Sequence, residues 1–206
     1  MHTSGHSGQS GHQGAFRVHE VGSAPEESRA TLGEVERGFG MIPNLERVMA
    51  SAPALLRAYA TAWELFDATA LTPVERQVVY QTANFINECD YCVPWHTLLS
   101  QQAGMSPADV EALRSGGVLG EPRLEALRQF TREVVLQRGK VTPGDVERFM
   151  RAGYTDRHAL EVVLGVAIKV MSNYTNSIAG TPLDRQVTKH AWRKPKVSPR
   201  GTGAGS

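Results

Sequence analysis

The stretch from Thr72 to His96, TPVERQVVYQTANFINECDYCVPWH, indicates how this chain folds. Thr72-Pro73 is a typical helix start, because a threonine can cap free backbone amides and proline suits the first turn. Proline costs about 3 kcal/mol in a helix interior, so Pro94 should lie in the first turn of a second helix, which then begins just before it. We therefore predict two helices joined by a short turn, with Cys89 in the turn and Cys92 in the first turn of the second helix.

The same start signal recurs along the chain, at Ser106-Pro107 and Thr142-Pro143, each with an acidic residue in the first turn. No segment shows the sustained apolar–polar alternation that is typical of strands. The sequence therefore predicts an all-α fold, a compact multi-helix domain. The expected helices cover residues 26–38, 43–51, 53–69, 73–87, 91–103, 107–115, 122–138, 143–152 and 156–179.

The chain of 206 residues is long enough for one domain with its own core. Residues 1–14 contain mainly Gly, Ser, His and Gln and are predicted to be a disordered tail, in which the three histidines are solvated rather than metal-bound. We expect residues 15–193 to form the single all-α domain. Residues 194–206, rich in Pro, Gly and basic side chains, are predicted to be a second disordered tail.

Charge and hydropathy limit the partners that the chain can have. The formal net charge is +1, from 22 basic and 21 acidic residues, and no basic stripe favours nucleic acid. No apolar run reaches the roughly 18 residues of a membrane helix, and no secretory pattern opens the sequence. We expect a cytoplasmic protein, in which thiols stay reduced unless they are catalytic or metal-bound. The stretch 160–171, LEVVLGVAIKVM, is apolar almost all round, so we expect it to be buried in the core or against another subunit.

Cys89 and Cys92 are the two cysteines of the sequence, and His96 follows Cys92 by one helical turn. A helix N-terminus favours a thiolate by about 0.3–1 kcal/mol, which is less than one pKa unit. A neighbouring imidazole can supply the rest of the activation. We therefore predict redox chemistry, with Cys92 as the attacking thiol and Cys89 as the thiol that resolves it into a disulfide.

Other interpretations of the motif remain open. Zinc could bind Cys89, Cys92 and His96, but a structural zinc site normally has four ligands. Two inert buried cysteines are a further alternative, whereas covalent haem is excluded because no histidine directly follows Cys92. The carboxylate that serves the pair could be Glu75, which shares a helix face with the far end of its helix but also fits a capping box. Glu88, next to Cys89, is the second candidate.

The sequence resembles the alkylhydroperoxidase D and carboxymuconolactone decarboxylase superfamily, whose pattern is a glutamate followed by Cys-x-x-Cys-x-x-x-His. The resemblance covers about residues 30–185. It rests on LTPVER at 71–76, NECDYCVPWHT at 87–97, GMIPNL at 40–45, NYTN at 173–176 and PLD at 182–184.

This resemblance implies an all-α fold that assembles into homotrimers or hexamers and reduces peroxides, without a metal or organic cofactor. Cys89 and Cys92 would cycle between dithiol and disulfide, while Glu75 and His96 relay protons. A dithiol carrier, lipoyl or thioredoxin-like, would be the reductant. Two features depart from alkylhydroperoxidase D: Tyr91 replaces a histidine, and the gap from Glu75 to Cys89 is slightly longer.

A hydroperoxide-reducing enzyme is therefore our main hypothesis. The alternatives are a cofactor-free, decarboxylase-like lyase that uses Glu75 and His96 as acid and base, and a non-catalytic redox-sensing or zinc-binding protein. The cysteine pair argues against decarboxylation. Asn173 and Asn176, one turn apart on the last long helix, could line a cleft but more readily satisfy buried backbone groups or a subunit contact.

Overall fold

The structure is a computed structural model that describes residues 16–195, and this part of the chain contains helices but no strand. The all-α prediction is confirmed. The helices are α1 (Glu26–Phe39), α2 (Asn44–Met49), α3 (Pro53–Asp67), α4 (Pro73–Ile86), α5 (Cys92–Gln102), α6 (Pro107–Ser115), α7 (Pro122–Leu136), α8 (Pro143–Arg151) and α9 (Asp156–Ala179), with 3-10 helices at Val21–Ser23 and Arg185–His190.

Every predicted α-helix is present, with bounds that differ by one or two residues at most. The starts agree because the predicted caps form: the Thr72 hydroxyl accepts from the Glu75 amide at 3.2 Å, and the Ser106 hydroxyl accepts from the Asp109 amide at 3.1 Å. The 3-10 helix at Arg185–His190 was not predicted. The two predicted tails lie outside the described residues, except for positions 194 and 195, where Lys194 pairs with the Glu88 carboxylate at 3.0 Å.

Helix α4 is the central element, because it packs against α3, α5, α6, α7 and α9. Its residues 78–84 are all buried. Gly165 lets α9 approach closely: a Cβ at this position would lie 2.7 Å from side-chain atoms of both Phe66 and Val79. This close packing brings the second half of α9 beside the start of α5, where the two cysteines lie.

The stretch 160–171 in α9 is not buried on every side within the single chain, so burial against another subunit stays a prediction for its exposed side. Val162, Gly165 and Ile168 face the core, while Leu160 is 72% exposed and Val163 is 52% exposed. We call the exposed side the outer face of α9. It comprises Leu160, Val163, Val170, Tyr174 and Ile178. Among residues 16–195, no helix combines the length and hydropathy needed to cross a bilayer.

Candidate active site

The turn between α4 and α5 holds the two cysteines in a fixed arrangement. The Cys89 amide donates to the Asn84 carbonyl at 3.0 Å, and the Val93 amide donates to the Cys89 carbonyl at 3.1 Å. The Cys92 amide donates to Cys89 Sγ at 3.2 Å, so this sulfur acts as a cap for the first residue of α5. Both cysteines are free thiols and both are buried. Cys92 therefore lies at the start of a helix, as the sequence predicts.

Two asparagines of α9 donate hydrogen bonds to the sulfurs. Asn173 Nδ2 lies 3.0 Å and Asn176 Nδ2 lies 3.2 Å from Cys92 Sγ, and Asn176 Nδ2 lies 3.8 Å from Cys89 Sγ. Asn173 is held in place because its amide also bonds Asn84 at 2.9 Å and Asn87 at 2.9 Å. The asparagines therefore face the reactive atoms, a role that their spacing alone did not reveal.

His96 is buried, and both ring nitrogens have partners. Nδ1 lies 2.8 Å from Gln77 Oε1, and Nε2 lies 2.9 Å from Lys169 Nζ. Since the ammonium can only donate, Nε2 accepts and Nδ1 carries the proton. Burial and the Lys169 charge lower the pKa of His96 well below its usual range, so the imidazole is neutral. No hydrogen bond joins His96 to either sulfur in the described part of the chain; the histidine contacts Lys169 instead.

Lys169 is 1% exposed, and its ammonium lies over the rings of Tyr80 at 5.0 Å and Trp63 at 5.7 Å. Burial lowers the pKa of Lys169, and the Cys92 sulfur is the strongest of the groups that oppose this shift. A buried lysine needs such partners, because an isolated buried charge is strongly unfavourable. The sequence pattern did not identify Lys169, which lies within an apolar run.

The two thiols have different acidities. Burial raises the pKa of Cys92, but the Cys89 thiol, the Lys169 ammonium and the amides of Asn173 and Asn176 outweigh this effect and lower the pKa to about 6. Burial and the neighbouring Cys92 sulfur raise the pKa of Cys89. At neutral pH, Cys92 is therefore mainly a thiolate while Cys89 keeps its proton, which is the arrangement required of an attacking and a resolving thiol.

The structure does not bring Glu75 to the cysteine pair. Its carboxylate accepts from the Thr72 amide at 2.8 Å and from the Tyr154 hydroxyl at 2.8 Å, and it lies 3.1 Å from the Arg123 guanidinium. Glu75 lies in the first turn of α4, whereas Cys89 follows the other end, and a helix of this length spans about 20 Å. Glu75 and the far end of α4 share a helix face, but the length of the helix separates the Glu75 carboxylate from the cysteine pair. A relay role for Glu75 stays a prediction.

Glu88 does not contact the sulfurs either: it is exposed, with a φ of 56°, and pairs with Lys194 at 3.0 Å. The α4 residue that reaches the site is Gln77, through His96. No spacing along the sequence identifies Gln77, because it meets His96 only through the packing of α4 against α5. Among residues 16–195, no cluster of three or more His, Cys, Asp or Glu side chains is arranged to hold a metal ion.

A cavity of about 290 Å³ adjoins Cys92. Its lining includes Cys92, His96, Lys169 and Glu46, and its aromatic walls are Phe39, Tyr59, Trp63, Tyr91 and Trp95. Asp184 fixes one wall, because its carboxylate accepts from the Tyr91 hydroxyl and from Trp95 Nε1 at 2.9 Å. The arrangement offers a thiolate, a buried ammonium and an apolar chamber for a small ligand.

Comparison with known proteins gives the same picture as the motif. Residues 53–133 match the carboxymuconolactone decarboxylase family. A peroxidase-related protein from Ralstonia eutropha JMP134, described as an alkylhydroperoxidase AhpD core, superposes with a TM-score of 0.75 at 22% identity, covering 86% of this chain and 96% of that chain. A peroxidase-related protein from Silicibacter sp. TM1040 gives 0.71 at 18% identity, covering 87% and 96%.

The debrominase Bmp8, solved in complex with 2,3,4-tribromopyrrole, superposes with a TM-score of 0.64 at 15% identity, covering 78% of this chain and 87% of that chain. Among curated proteins, no sequence matches significantly. At these identities the solved structures establish the fold. Together with the family match, they confirm the resemblance that the central motif indicated.

Proposed function

We propose that this chain is an enzyme that reduces hydroperoxides through Cys92 and Cys89, because residues 53–133 match the carboxymuconolactone decarboxylase family and the fold is that of peroxidase-related structures. One observation carries the proposal. The Cys92 sulfur, with a pKa lowered to about 6, lies beside a ligand-sized cavity and within reach of a second, protonated thiol.

The reaction follows from the state of each thiol. The Cys92 thiolate attacks the terminal oxygen of ROOH, the O–O bond breaks, and RO⁻ takes a proton to leave as the alcohol. Cys92 is then a sulfenic acid. The Cys89 sulfur displaces its hydroxyl, which leaves as water once protonated, and the disulfide forms. An external dithiol returns the pair to the reduced state by exchange and is itself oxidised to a disulfide.

His96 acts on Cys92 through Lys169 in this mechanism rather than through a direct bond. The neutral imidazole accepts a hydrogen bond from Lys169 Nζ at 2.9 Å and so orients the ammonium. The ammonium and the two asparagine amides then stabilise the thiolate that results when Cys92 loses its proton.

The partners are part of the proposal. A small hydroperoxide is the substrate, a lipoyl or thioredoxin-like dithiol protein is the reductant, and the cytoplasm supplies both. The outer face of α9 supports a homotrimer or hexamer, because exposed apolar side chains that recur along one helix face are typical of subunit contacts.

Two variants test the reaction. Cys92→Ser should abolish hydroperoxide consumption with dithiothreitol as reductant, and Cys89→Ser should leave a sulfenic acid on Cys92 that dimedone traps. Mass spectrometry of the peptide that holds both sulfurs distinguishes sulfenic acid, disulfide and free thiols after one equivalent of peroxide. If both variants consume peroxide at the wild-type rate, the proposal is wrong.

Reductive dehalogenation is a second candidate, which the aromatic walls of the cavity and the likeness to a debrominase favour. The Cys92 thiolate would take the halogen from an aromatic ring, the ring carbon would gain a proton, and Cys89 would displace halide to give the same disulfide. Brominated pyrroles in place of peroxide, with release of bromide as the readout, decide between the two substrates.

The remaining alternatives have separate tests. A lyase would keep its activity after both thiols are alkylated, and it would need Glu75 beside His96, which the structure does not provide. A zinc-binding protein would contain about one zinc per chain when purified without added metal.

A further inference from the structure

Glu46 is a carboxyl group that the mechanism above does not use. It lies on α2 and lines the same cavity as Cys92 and Lys169. Although the residue as a whole is partly exposed, its Oε2 atom is shielded from solvent and has no hydrogen-bond partner within residues 16–195. Buried polar atoms are normally paired, because leaving one unpaired costs about 1–3 kcal/mol. The carboxyl group of Glu46 is therefore not committed to a protein partner through Oε2, while the partly exposed remainder of the residue lines the cavity in which a substrate would bind.

The surroundings of Glu46 keep this carboxyl protonated at neutral pH. Burial raises its pKa to about 8; the charges of Asp184 and Cys92 also raise it, while its own backbone amide and Lys169 act in the opposite direction. Tyr59 and Tyr91, the other titratable groups that interact with it, keep their hydroxyl protons because burial raises their pKa values well above the usual range. Glu46 can therefore donate a proton. The other acidic residues that line the cavity, Glu34, Glu64 and Asp67, are exposed to solvent.

We propose that Glu46 is the general acid that protonates the leaving oxygen when the Cys92 thiolate cleaves a hydroperoxide. This proposal rests on the proposed peroxidase function. In the step, sulfur bonds to the terminal oxygen, the O–O bond breaks, and the carboxyl proton moves to RO⁻ to give ROH. Glu46 is left as a carboxylate and regains a proton from solvent before the next turnover.

The chemistry of the leaving group explains why an acid is needed. An alkoxide is a strong base and a poor leaving group, so proton transfer in the transition state accelerates its departure, typically by about 10²–10⁴-fold. Lys169 is less suited to this task, because its charge stabilises the thiolate and its Nζ is hydrogen-bonded to His96. A peroxyacid differs from an alkyl hydroperoxide at this point: its leaving group is a carboxylate, which departs without a proton.

The test compares two oxidants with one variant. Glu46→Gln keeps the shape and polarity of the side chain but has no acidic proton. We expect it to slow thiol oxidation by cumene hydroperoxide at least about 100-fold in single-turnover stopped-flow measurements. Its rate with peracetic acid should stay near that of the wild type, which also shows that the site is folded. Glu27→Gln, which changes an exposed carboxylate of α1, is the matched control and should react normally with both oxidants.

Each other outcome overturns a different statement. If Glu46→Gln slows both oxidants equally, Glu46 is structural and the general-acid role is wrong. If neither rate changes, the role is also wrong. If the wild type reacts with peracetic acid and cumene hydroperoxide no faster than free cysteine, the peroxidase function fails, independently of the variant.

Discussion

Replacing Lys169 by Met tests the central electrostatic claim, that a buried ammonium keeps Cys92 ionised. Methionine nearly matches the length of the lysine stem but carries no charge. Removing one partner of a buried ion pair is destabilising when the other charge remains, but Cys92 can take up a proton and become neutral, so the variant should fold. The structure supports this, because aromatic rings already pack around the Lys169 side chain.

The expected size of the effect follows from the helix geometry. Lys169 and Asn173 are one turn apart on α9, and the Asn173 amide lies 3.0 Å from Cys92 Sγ. Charges about 6 Å apart at an effective dielectric constant of about 20 interact by about 3 kcal/mol, or about two pKa units. The pKa of Cys92 is about 6 in the wild type. In Lys169→Met it should rise to about 8, and the thiolate fraction at pH 7 should fall from about 90% to about 10%.

The assay is the rate of alkylation by iodoacetamide as a function of pH, with mass spectrometry to assign the modified sulfur. The wild-type rate should fall as pH drops below 6, because protonation removes the thiolate. Lys169→Met should react about tenfold more slowly at pH 7 and approach the wild type above pH 9. Lys140→Met, an exposed lysine, is the control. A Cys92 pKa in Lys169→Met within half a unit of the wild type would refute the reasoning.

Two further predictions concern residues away from the sulfurs. Glu75→Gln should keep the peroxidase rate per folded molecule but lower the free energy of unfolding by about 1–3 kcal/mol in urea melts, since it weakens a cap and a buried hydrogen bond. Burial raises the pKa of Glu75, but the hydrogen bonds from Thr72 and Tyr154 and the Arg123 charge outweigh it and lower the pKa. The ionised carboxylate therefore stabilises the fold at pH values above its unfolded pKa. The difference in unfolding free energy between the wild type and Glu75→Gln should vanish as pH falls through the folded pKa. If Glu75→Gln instead loses peroxidase activity while its stability is unchanged, a proton relay through Glu75 is favoured. Val163→Glu should convert an oligomer to smaller species in analytical ultracentrifugation, because it places a charge in the exposed outer face of α9. The control Lys140→Glu should leave the mass unchanged. An unchanged mass for Val163→Glu would exclude this face as the subunit contact.

The sequence predicts the helices well because each helix start is determined by residues that are neighbours in the sequence. The proline and cap residues at 106–107 and 142–143 need no tertiary information, and the observed starts agree with them. Cys92 at a helix start follows from Pro94 in the same way.

The partners of Cys92 depend on tertiary contacts and could not be predicted locally. Lys169 lies within an apolar run, and only the folded structure shows that its ammonium contacts His96 of α5 and lies near Cys92. A spacing argument along α4 favoured Glu75, since it fixes the face of a helix but not the position along its axis. Two residues further on, Gln77 faces His96 instead. Glu46 lies on a short helix far from the motif in sequence and reaches the site only through the fold.

The depth of the sulfurs would limit which reductant can recycle the disulfide of the proposed reaction. Cys89 is 6% exposed and Cys92 is 2% exposed, and thiol exchange requires the incoming sulfur to reach the disulfide itself. A broad protein surface stops at the entrance of the chamber, whereas a slender tether such as a lipoyl arm can extend into it. For the proposed reaction, the access of the donor to the sulfurs would therefore select the electron donor together with its redox potential, and a bulky, rigid carrier would be a poor reductant.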